Sequence, residues 1–216
     1  KVVTWKGKFN YSAINNYGAG FCSGKYLLLL NNDIEVITPN WIEEMLMFAQ
    51  REDVGAVGAR LLYPDDTIQH AGVILGIGGC AGHANKYIPK TAPGYANRAL
   101  IAQDLSACTA ACLMVRKSVF DEVNGFDESF EVAFNDVDFC LRIREKDYLI
   151  VYTPYAELYH YESKSRGHED SSEKQTRFNG EVFRLKERWG EILVSDPYYN
   201  SNLTLRSENF SIKLKE

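Results

Sequence analysis

Two short acidic stretches and one histidine are the residues of this sequence that could carry out chemistry. Residues 31–33 read Asn-Asn-Asp and directly follow the apolar run 26–30. A second stretch, Asn-Asp-Val-Asp, occupies residues 135–138, and His160 ends the stretch Ala-Glu-Leu-Tyr-His. A buried strand that ends in a carboxylate places a hard oxygen ligand at a sheet edge, where open α/β folds bind nucleotides and metal ions. The pattern therefore predicts a site for phosphate chemistry.

The elements that must position these residues alternate between strands and helices. Residues 26–30 are apolar on both faces, which is typical of a central strand covered by helices. Periodicity and turn residues predict further strands at 2–5, 54–61, 68–77, 112–115, 149–152 and 156–161, and helices at 12–22, from 38–40 onward, and at 117–123, 135–145 and 171–189. A long loop is predicted over 78–97. The fold class is therefore α/β.

Length, composition and charge limit the functions this chain can have. The sequence has 216 residues, 45% hydrophobic and 25% charged, which suffices for one domain with a substantial core. We expect a single domain over 1–216, with the core over about 1–195 and a tail over 196–216. The formal net charge is -5 and no basic stripe is present, so a nucleic-acid partner is not expected.

Cysteine usage and hydropathy indicate the compartment. The cysteines are odd in number and form no Cys-x-x-Cys pair, which indicates reduced thiols of a cytoplasmic protein rather than a disulfide framework. They are Cys22, Cys80, Cys108, Cys112 and Cys140. No apolar run approaches the ~20 residues that cross a bilayer. Membrane contact is therefore expected to be peripheral, at the inner face of the cell membrane, or through a lipid-linked substrate.

Four strings in this order resemble the family 2 inverting glycosyltransferases of the GT-A fold, particularly their bacterial rhamnosyltransferase-like branch. They are Leu-Asn-Asn-Asp at 30–33, Gly-Phe-Asp-Glu at 125–128, Phe-Asn-Asp-Val-Asp-Phe-Cys-Leu-Arg at 134–142 and His-Tyr-Glu-Ser-Lys-Ser-Arg-Gly at 160–167. The resemblance implies a mixed sheet flanked by helices, a nucleotide-sugar donor whose diphosphate is held by Mn²⁺ or Mg²⁺, and one displacement that inverts the anomeric carbon.

The resemblance assigns the metal and donor contacts. Asp33 resembles the last carboxylate of the family's Asp-x-Asp motif and His160 resembles its later metal or diphosphate contact, while Asn31 and Asn32 would line the donor site. Asn31 replaces the motif's first aspartate and brings no charge, so we expect weaker metal binding than two carboxylates give. These assignments have structural alternatives. Residues 31–33 could form a turn that ends the strand, since Asn and Asp are common in turns, and His160 could be a structural residue, as a lone histidine often is.

The resemblance also assigns a catalytic base. Asp136 resembles the second residue of the family's Glu-Asp motif, whose first position is Asn135 here, and a positioned carboxylate can remove the acceptor hydroxyl proton. The alternative is that Asp136 only complements the positive end of a helix dipole. Asp138, Asp127, Glu128 and Asn135 are expected to contact the acceptor, although Asp138 could equally lie on a solvated helix face.

Other basic side chains have weaker assignments. Lys164 and Arg166, in a polar loop that ends in glycine, are expected to clamp the departing diphosphate once the loop closes. His70 and His83 are weaker candidates for sugar contact, and we interpret them as a structural and a loop residue, respectively.

The sequence begins at Lys1 without an initiating methionine. The strand-helix-strand units with which members of the resembled family begin have no counterpart in it. We therefore expect an N-terminally truncated segment of a longer protein that is inactive alone. The missing strands would leave an unpaired sheet edge, which favours homo-oligomers.

Three functions stay open from the sequence. The first is transfer of a sugar, with rhamnose and a cell-envelope glycan or lipid-linked acceptor suggested by the branch. The second is a non-catalytic carbohydrate-binding or scaffold module, suggested by Asn31, Asn135 and the missing half. The third is a sugar nucleotidyltransferase, which also ends strands in metal-binding carboxylates and would release pyrophosphate.

Overall fold

The computed structural model describes residues 1–161 and 171–214, which form a mixed sheet with helices on both faces. The strands are β1 (Tyr26–Leu30), β2 (Ile34–Val36), β3 (Val54–Leu62), β4 (Ile68–His70), β5 (Val73–Leu75), β6 (Ala81–His83), β7 (Gln103–Leu105), β8 (Cys112–Arg116) and β9 (Leu149–His160). The helices are α1 (Tyr11–Ala19), α2 (Trp41–Ala49), α3 (Lys117–Glu122), α4 (Asn135–Arg144) and α5 (Ser172–Val194).

The main sheet has seven strands, whose central order is β1-β8-β3-β9-β2, with β4 beside β3 and β7 beside β9. The pair β3 and β9 is parallel, and the other pairs in this sheet are antiparallel. Strands β5 and β6 form a separate antiparallel pair. The α/β class and the mixed sheet expected from the sequence are confirmed.

Strand β1 shows how the apolar run places the acidic stretch that follows it. Leu27 and Leu29 pack into the core beneath α3, α4 and α5, whereas Leu28 packs against the core beneath α2. Side chains alternate between the two faces of a strand, so a run that is apolar at every position can fill both cores. This double burial fixes the register of β1 and thereby the position of residues 31–33.

Strand β9 is continuous, although the sequence predicts two strands separated near Pro154. The register against β3 passes from Ala59 opposite Thr153 to Arg60 opposite Glu157, so β9 bulges outward over the intervening residues. A proline is tolerated in a strand where a bulge takes it out of the hydrogen-bond ladder. The continuous strand carries His160 to its far end.

Two further predictions are corrected at the N-terminal end. Residues 2–5 form no strand. Helix α1 spans Tyr11–Ala19 instead of 12–22, and its cap is Asn10, whose side chain accepts a hydrogen bond from the N–H of Ala13, although Ser12 at the predicted start is also of a residue type that caps helices. The Ser12 hydroxyl instead donates to the carbonyl of Phe130 at 2.6 Å, which ties α1 to the segment before α4.

The segment 78–97, predicted to be a loop, contains β6 and a short 3₁₀ turn (Tyr95–Asn97). The C-terminal tail packs against the same side of the molecule, where Leu203 and Phe210 are buried with Ile74 and Ala84. Asp196 anchors the start of this tail: its carboxylate accepts hydrogen bonds from the Ser106 hydroxyl at 2.6 Å and the Leu75 N–H at 2.8 Å. In the described ranges, no helix has the length and hydropathy needed to span a bilayer.

Candidate active site

The first half of the site lies where β1 and β9 end and β2 begins. Ile34 of β2 is paired with His160 of β9, and the N–H of Tyr161 donates to the carbonyl of Asp33 at 2.9 Å. This pairing brings Oδ1 of Asp33 to 3.2 Å from Nε2 of His160. Nδ2 of Asn31 lies 3.2 Å from the same nitrogen. The structure therefore brings together three of the residues predicted as metal and donor contacts.

Asp33 has an incompletely satisfied carboxylate. Its Oδ1 atom is buried, yet among the described residues it makes no hydrogen bond, although the 3.2 Å separation from the imidazole of His160 is short enough for one. A buried carboxylate oxygen without a donor is costly. A cation held between this oxygen and a neutral imidazole nitrogen would remove that cost.

Gln69 completes the surroundings of the histidine and was not identified from the sequence. Its Oε1 atom lies 2.7 Å from Nδ1 of His160, and the side chain is almost fully buried, with 1% exposure of the residue. Gln69 lies on β4, and a short strand read from a single sequence gives no indication of which distant histidine its side chain contacts.

The second half of the site lies at the start of α4. Phe134, the residue before the helix, has a left-handed backbone with φ of 60°, an uncommon conformation for a bulky residue. The Asp136 carboxylate accepts a hydrogen bond from the N–H of Ala110 at 3.2 Å and from that of Val137 at 2.9 Å. The base predicted from the sequence is thus held by two backbone donors at a helix N-terminus.

Helix α5 holds the loop that leads into α4. Glu181 is 1% exposed, and its carboxylate accepts hydrogen bonds from the N–H groups of Val132 at 2.8 Å and Ala133 at 3.3 Å. Burial raises the pKa of Glu181, although these backbone donors act in the opposite direction. Because the clamped residues lie just before Phe134, α5 helps to determine where Asp136 is placed.

One backbone segment joins the two halves. The carbonyl of Ala111 accepts a hydrogen bond from the N–H of Asn31 at 2.9 Å, while the neighbouring Ala110 N–H donates to Asp136. The Ala110 carbonyl accepts from the hydroxyl of Tyr11 at 2.7 Å. Burial, and next the charge of Asp136, raise the pKa of Tyr11, so this phenol stays neutral.

Asp138 is a correction, because it lies neither in an acceptor site nor on a solvated face. The residue is fully buried. Its Oδ2 accepts from Nε of Arg142 at 2.8 Å, and its Oδ1 accepts from Arg188 at 2.7 Å and from the indole N–H of Trp189 at 3.0 Å. A carboxylate with these partners joins α4 to α5 and has no oxygen free to contact a substrate.

The other residues predicted to contact the acceptor also have partners within the protein. Asp127 accepts from Arg188 at 2.7 Å. Glu128 is exposed and accepts from Asn16 at 3.1 Å. Asn135 is buried, and its amide donates to the carbonyl of Val132 at 2.9 Å. Their contact with an acceptor stays a prediction.

Of the other residues predicted to contact the donor, one lies within the described part of the chain and two lie outside it. Asn32 is exposed beside Asp33, whereas Lys164 and Arg166 lie outside the described residues. In the described ranges there is no group of three or more His, Cys, Asp and Glu side chains placed to hold a metal ion. Any cation at Asp33 and His160 would therefore need further ligands.

His70 and His83 lie behind the site. His70 is fully buried and its Nε2 accepts the N–H of Thr109 at 3.3 Å. Burial lowers the pKa of His70 well below its usual value, and the nearby His83 and His160 act in the same direction. His70 is thus a neutral, buried residue, whereas His83, predicted to lie in a loop, ends β6. All five cysteines are free thiols, and Cys22 is the exposed one.

Comparison with known sequences finds a matching family and relatives that are much longer than this chain. The model of the family described as Glycosyl transferase family 2 matches residues 1–123, a range that includes residues 31–33 but not Asp136 or His160. The chain is 50% identical over 203 residues to "Uncharacterized protein y4gI" of Sinorhizobium fredii, covering 94% of this chain and 22% of that protein. It is 39% identical over 215 residues to "O-antigen biosynthesis protein RfbC" of Myxococcus xanthus, covering 98% of this chain and 16% of that protein.

A shorter match links the chain to a named transferase. "N-acetylglucosaminyl-diphospho-decaprenol L-rhamnosyltransferase" of Mycobacterium tuberculosis is 39% identical over 64 residues, covering 30% of this chain and 21% of that protein. Among solved structures, that of GalNAc-T7 with UDP, GalNAc and Mn²⁺ has a TM-score of 0.63 at 13% identity, covering 86% of this chain and 36% of that one. The likeness is one of fold, and it agrees with the GT-A fold expected from the sequence.

Proposed function

Because the chain belongs to glycosyl transferase family 2, we propose that it transfers a sugar from a nucleotide-sugar donor to a glycan or lipid-linked saccharide, with inversion at the anomeric carbon. The observation that carries the proposal is the meeting of Asn31, Asp33 and His160 at one sheet end. The chain spans about a fifth of the y4gI protein and less of RfbC, so the activity of the whole protein is part of this proposal.

The residues present fit a divalent cation. Asp33 offers a buried carboxylate oxygen that makes no hydrogen bond within the described part of the chain, and His160 offers a ring nitrogen 3.2 Å away. Half a turn of the Asn31 side-chain amide would bring its oxygen to where its nitrogen now lies. One carboxylate, one imidazole and one amide suit Mn²⁺ better than Mg²⁺, which prefers oxygen ligands alone. The bound cation would neutralise charge that develops on the departing diphosphate.

Asp136 is the proposed base. Its carboxylate would remove the proton of the acceptor hydroxyl as that oxygen bonds to the anomeric carbon and the bond to the diphosphate oxygen breaks. The N–H groups of Ala110 and Val137 hold the carboxylate in place. One carboxylate suffices, because the nucleoside diphosphate is a good leaving group once neutralised, unlike the leaving groups of glycosidases, which use a carboxyl pair.

The donor side would be completed by two basic residues of the sequence that follows His160. Lys164 and Arg166 are proposed to bind the diphosphate, since a guanidinium and an ammonium supply charged donors to phosphate oxygens. Rhamnose is the proposed sugar and a cell-envelope polysaccharide or its lipid-linked precursor the proposed acceptor. The RfbC and rhamnosyltransferase names of relatives support both. This chemistry fits a cytoplasmic protein in peripheral contact with the membrane.

A donor screen tests the proposal. The full-length protein is incubated with several UDP-, dTDP- and GDP-sugars, with and without Mn²⁺, and with lipid-linked or short glycan acceptors. We expect release of a nucleoside diphosphate that depends on acceptor and on Mn²⁺, and an inverted anomeric configuration of the new linkage by NMR.

The same screen separates the alternatives. Release of pyrophosphate would indicate a nucleotidyltransferase. Glycan binding without metal dependence or donor turnover would indicate a carbohydrate-binding module. Either result would contradict the proposal.

A further inference from the structure

Gln69 has no place in the chemistry described above, yet it contacts the proposed metal ligand directly. Its side-chain oxygen lies 2.7 Å from Nδ1 of His160. Its backbone carbonyl lies 3.0 Å from Nδ1 of His83, and Leu61 of β3 pairs with the next residue, His70. The backbone at Gln69 is therefore fixed by β3 and by His83, and the residue is 1% exposed, so its buried amide can impose an orientation on the imidazole.

The chemistry of this contact selects one form of the histidine. An amide oxygen only accepts hydrogen bonds, so Nδ1 of His160 must carry a proton to donate to Gln69. In the neutral ring, Nε2 then carries a lone pair. That nitrogen faces Nδ2 of Asn31, a donor, and Oδ1 of Asp33, both at 3.2 Å. The contact with Asn31 is consistent with the same tautomer.

The opposite tautomer would close the site. If Nε2 carried the proton, it could donate to Oδ1 of Asp33, the buried oxygen for which residues 1–161 and 171–214 supply no hydrogen bond. That bond would satisfy the carboxylate without a cation and would leave no lone pair for a metal. Without an acceptor at Nδ1, this closed form becomes the favourable one.

We propose that Gln69 is a positioning residue that holds His160 as its Nδ1–H tautomer, with the Nε2 lone pair beside Asp33, and so maintains the affinity of this pair for a divalent cation. The inference rests on the proposed function. Partners of this kind commonly change metal affinity by about 10-fold to 100-fold.

The test measures metal binding and not turnover. Mn²⁺ affinity of the full-length protein is determined by EPR of free Mn²⁺, and electron spin echo modulation reports a coordinated imidazole nitrogen. We expect Gln69→Met to weaken Mn²⁺ binding by about 10-fold or more and to reduce the nitrogen modulation. Gln69→Glu, which keeps an acceptor at this position, should retain the modulation.

Two further variants control for misfolding and for the loss of a glutamine elsewhere. Gln69→Asn preserves a buried amide but is one methylene shorter, so it should behave like Gln69→Met even if the latter folds poorly. Gln103→Met is the matched control, because Gln103 lies on β7 and donates to the carbonyl of Arg98. It should bind Mn²⁺ like the unaltered protein.

The outcomes separate this inference from the function on which it rests. If Gln69→Met and Gln69→Asn bind Mn²⁺ within about twofold of the unaltered protein with the same nitrogen modulation, the positioning role is overturned. If the nitrogen modulation is absent from the unaltered protein, or persists in His160→Asn, then His160 is not a metal ligand. In that case the proposed metal site itself is contradicted, whatever the Gln69 variants show.

Discussion

Asp136 accepts a hydrogen bond from the backbone N–H of Ala110, with 3.2 Å between the carboxylate oxygen and the nitrogen. The carbonyl of the next residue, Ala111, accepts from the N–H of Asn31. Consecutive Cα atoms lie about 3.8 Å apart, so the start of α4 and the end of β1 are fixed against neighbouring points of one backbone segment. The proposed base and the proposed cation ligands therefore share a common support.

Replacing Asp33 tests the cation site. Asp33→Asn removes the charged ligand, so Mn²⁺ affinity should fall by at least about tenfold and kcat/KM should fall with it. Calorimetric titration with Mn²⁺ and donor turnover measure the two effects. Asp121→Asn removes a surface carboxylate paired with Lys117 and should change neither. Equal Mn²⁺ affinity of Asp33→Asn and the unaltered protein would count against ligation by Asp33.

Replacing Asn31 tests whether the missing first carboxylate of the Asp-x-Asp motif weakens cation binding. Asn31→Asp places a second negative oxygen beside the same imidazole, so Mn²⁺ affinity should rise by about tenfold, as expected when ligand charge increases. The Mn²⁺ concentration needed for half-maximal turnover should fall accordingly. An unchanged affinity would mean that the Asn31 side chain does not face the cation.

Replacing Asp138 should lower the free energy of unfolding more than replacing Asp127, although both carboxylates bind Arg188. Asp138→Asn removes a fully buried charge and leaves two arginines without it, which should cost about 3 kcal/mol or more. Asp127→Asn breaks a partly exposed pair and should cost about 1 kcal/mol. Urea unfolding, followed by tryptophan fluorescence, measures both costs; one of the tryptophans, Trp189, donates to Asp138. Similar costs would contradict the structural role assigned to Asp138.

The contribution of Asp127 should depend on pH. Partial burial acts to raise the pKa of Asp127, but hydrogen bonds from Ser129 and Arg188 outweigh it and lower the pKa from 3.8 to about 2. The folded-state pKa is depressed, so this stabilisation is present above pH 3.8 and is lost as pH falls through about 2. The unaltered protein should exceed Asp127→Asn by about 1 kcal/mol at pH 6 after solvent screening, and the difference should vanish near pH 2. A difference that grows on acidification would refute the assignment.

The sequence predicted those features that depend on local pattern. The apolar run 26–30 becomes β1, and the helix predicted from 38–40 onward becomes α2. Asp33 and His160 were paired through the family resemblance, and the structure brings them to 3.2 Å. Strand β1 and helix α2 could be predicted because periodicity reports which side of an element is buried without reference to its partners.

The features that the sequence did not predict depend on distant partners. Asp138 has a visible partner in Arg142, one turn along α4, but Arg188 and Trp189 reach it from α5. Gln69 gives no local indication that it contacts His160. Tertiary contacts decide these positions, so periodicity and propensity within a short window carry no information about them.

Replacing the proposed base tests the central claim most directly. Asp136→Asn in the full-length protein should lower acceptor-dependent release of nucleoside diphosphate by about 100-fold or more, the usual contribution of a general base, while donor and Mn²⁺ affinities stay within about twofold. Glu145→Gln, at the exposed C-terminal end of the same helix, should keep full turnover. Undiminished turnover by Asp136→Asn would contradict the role of Asp136 as the base.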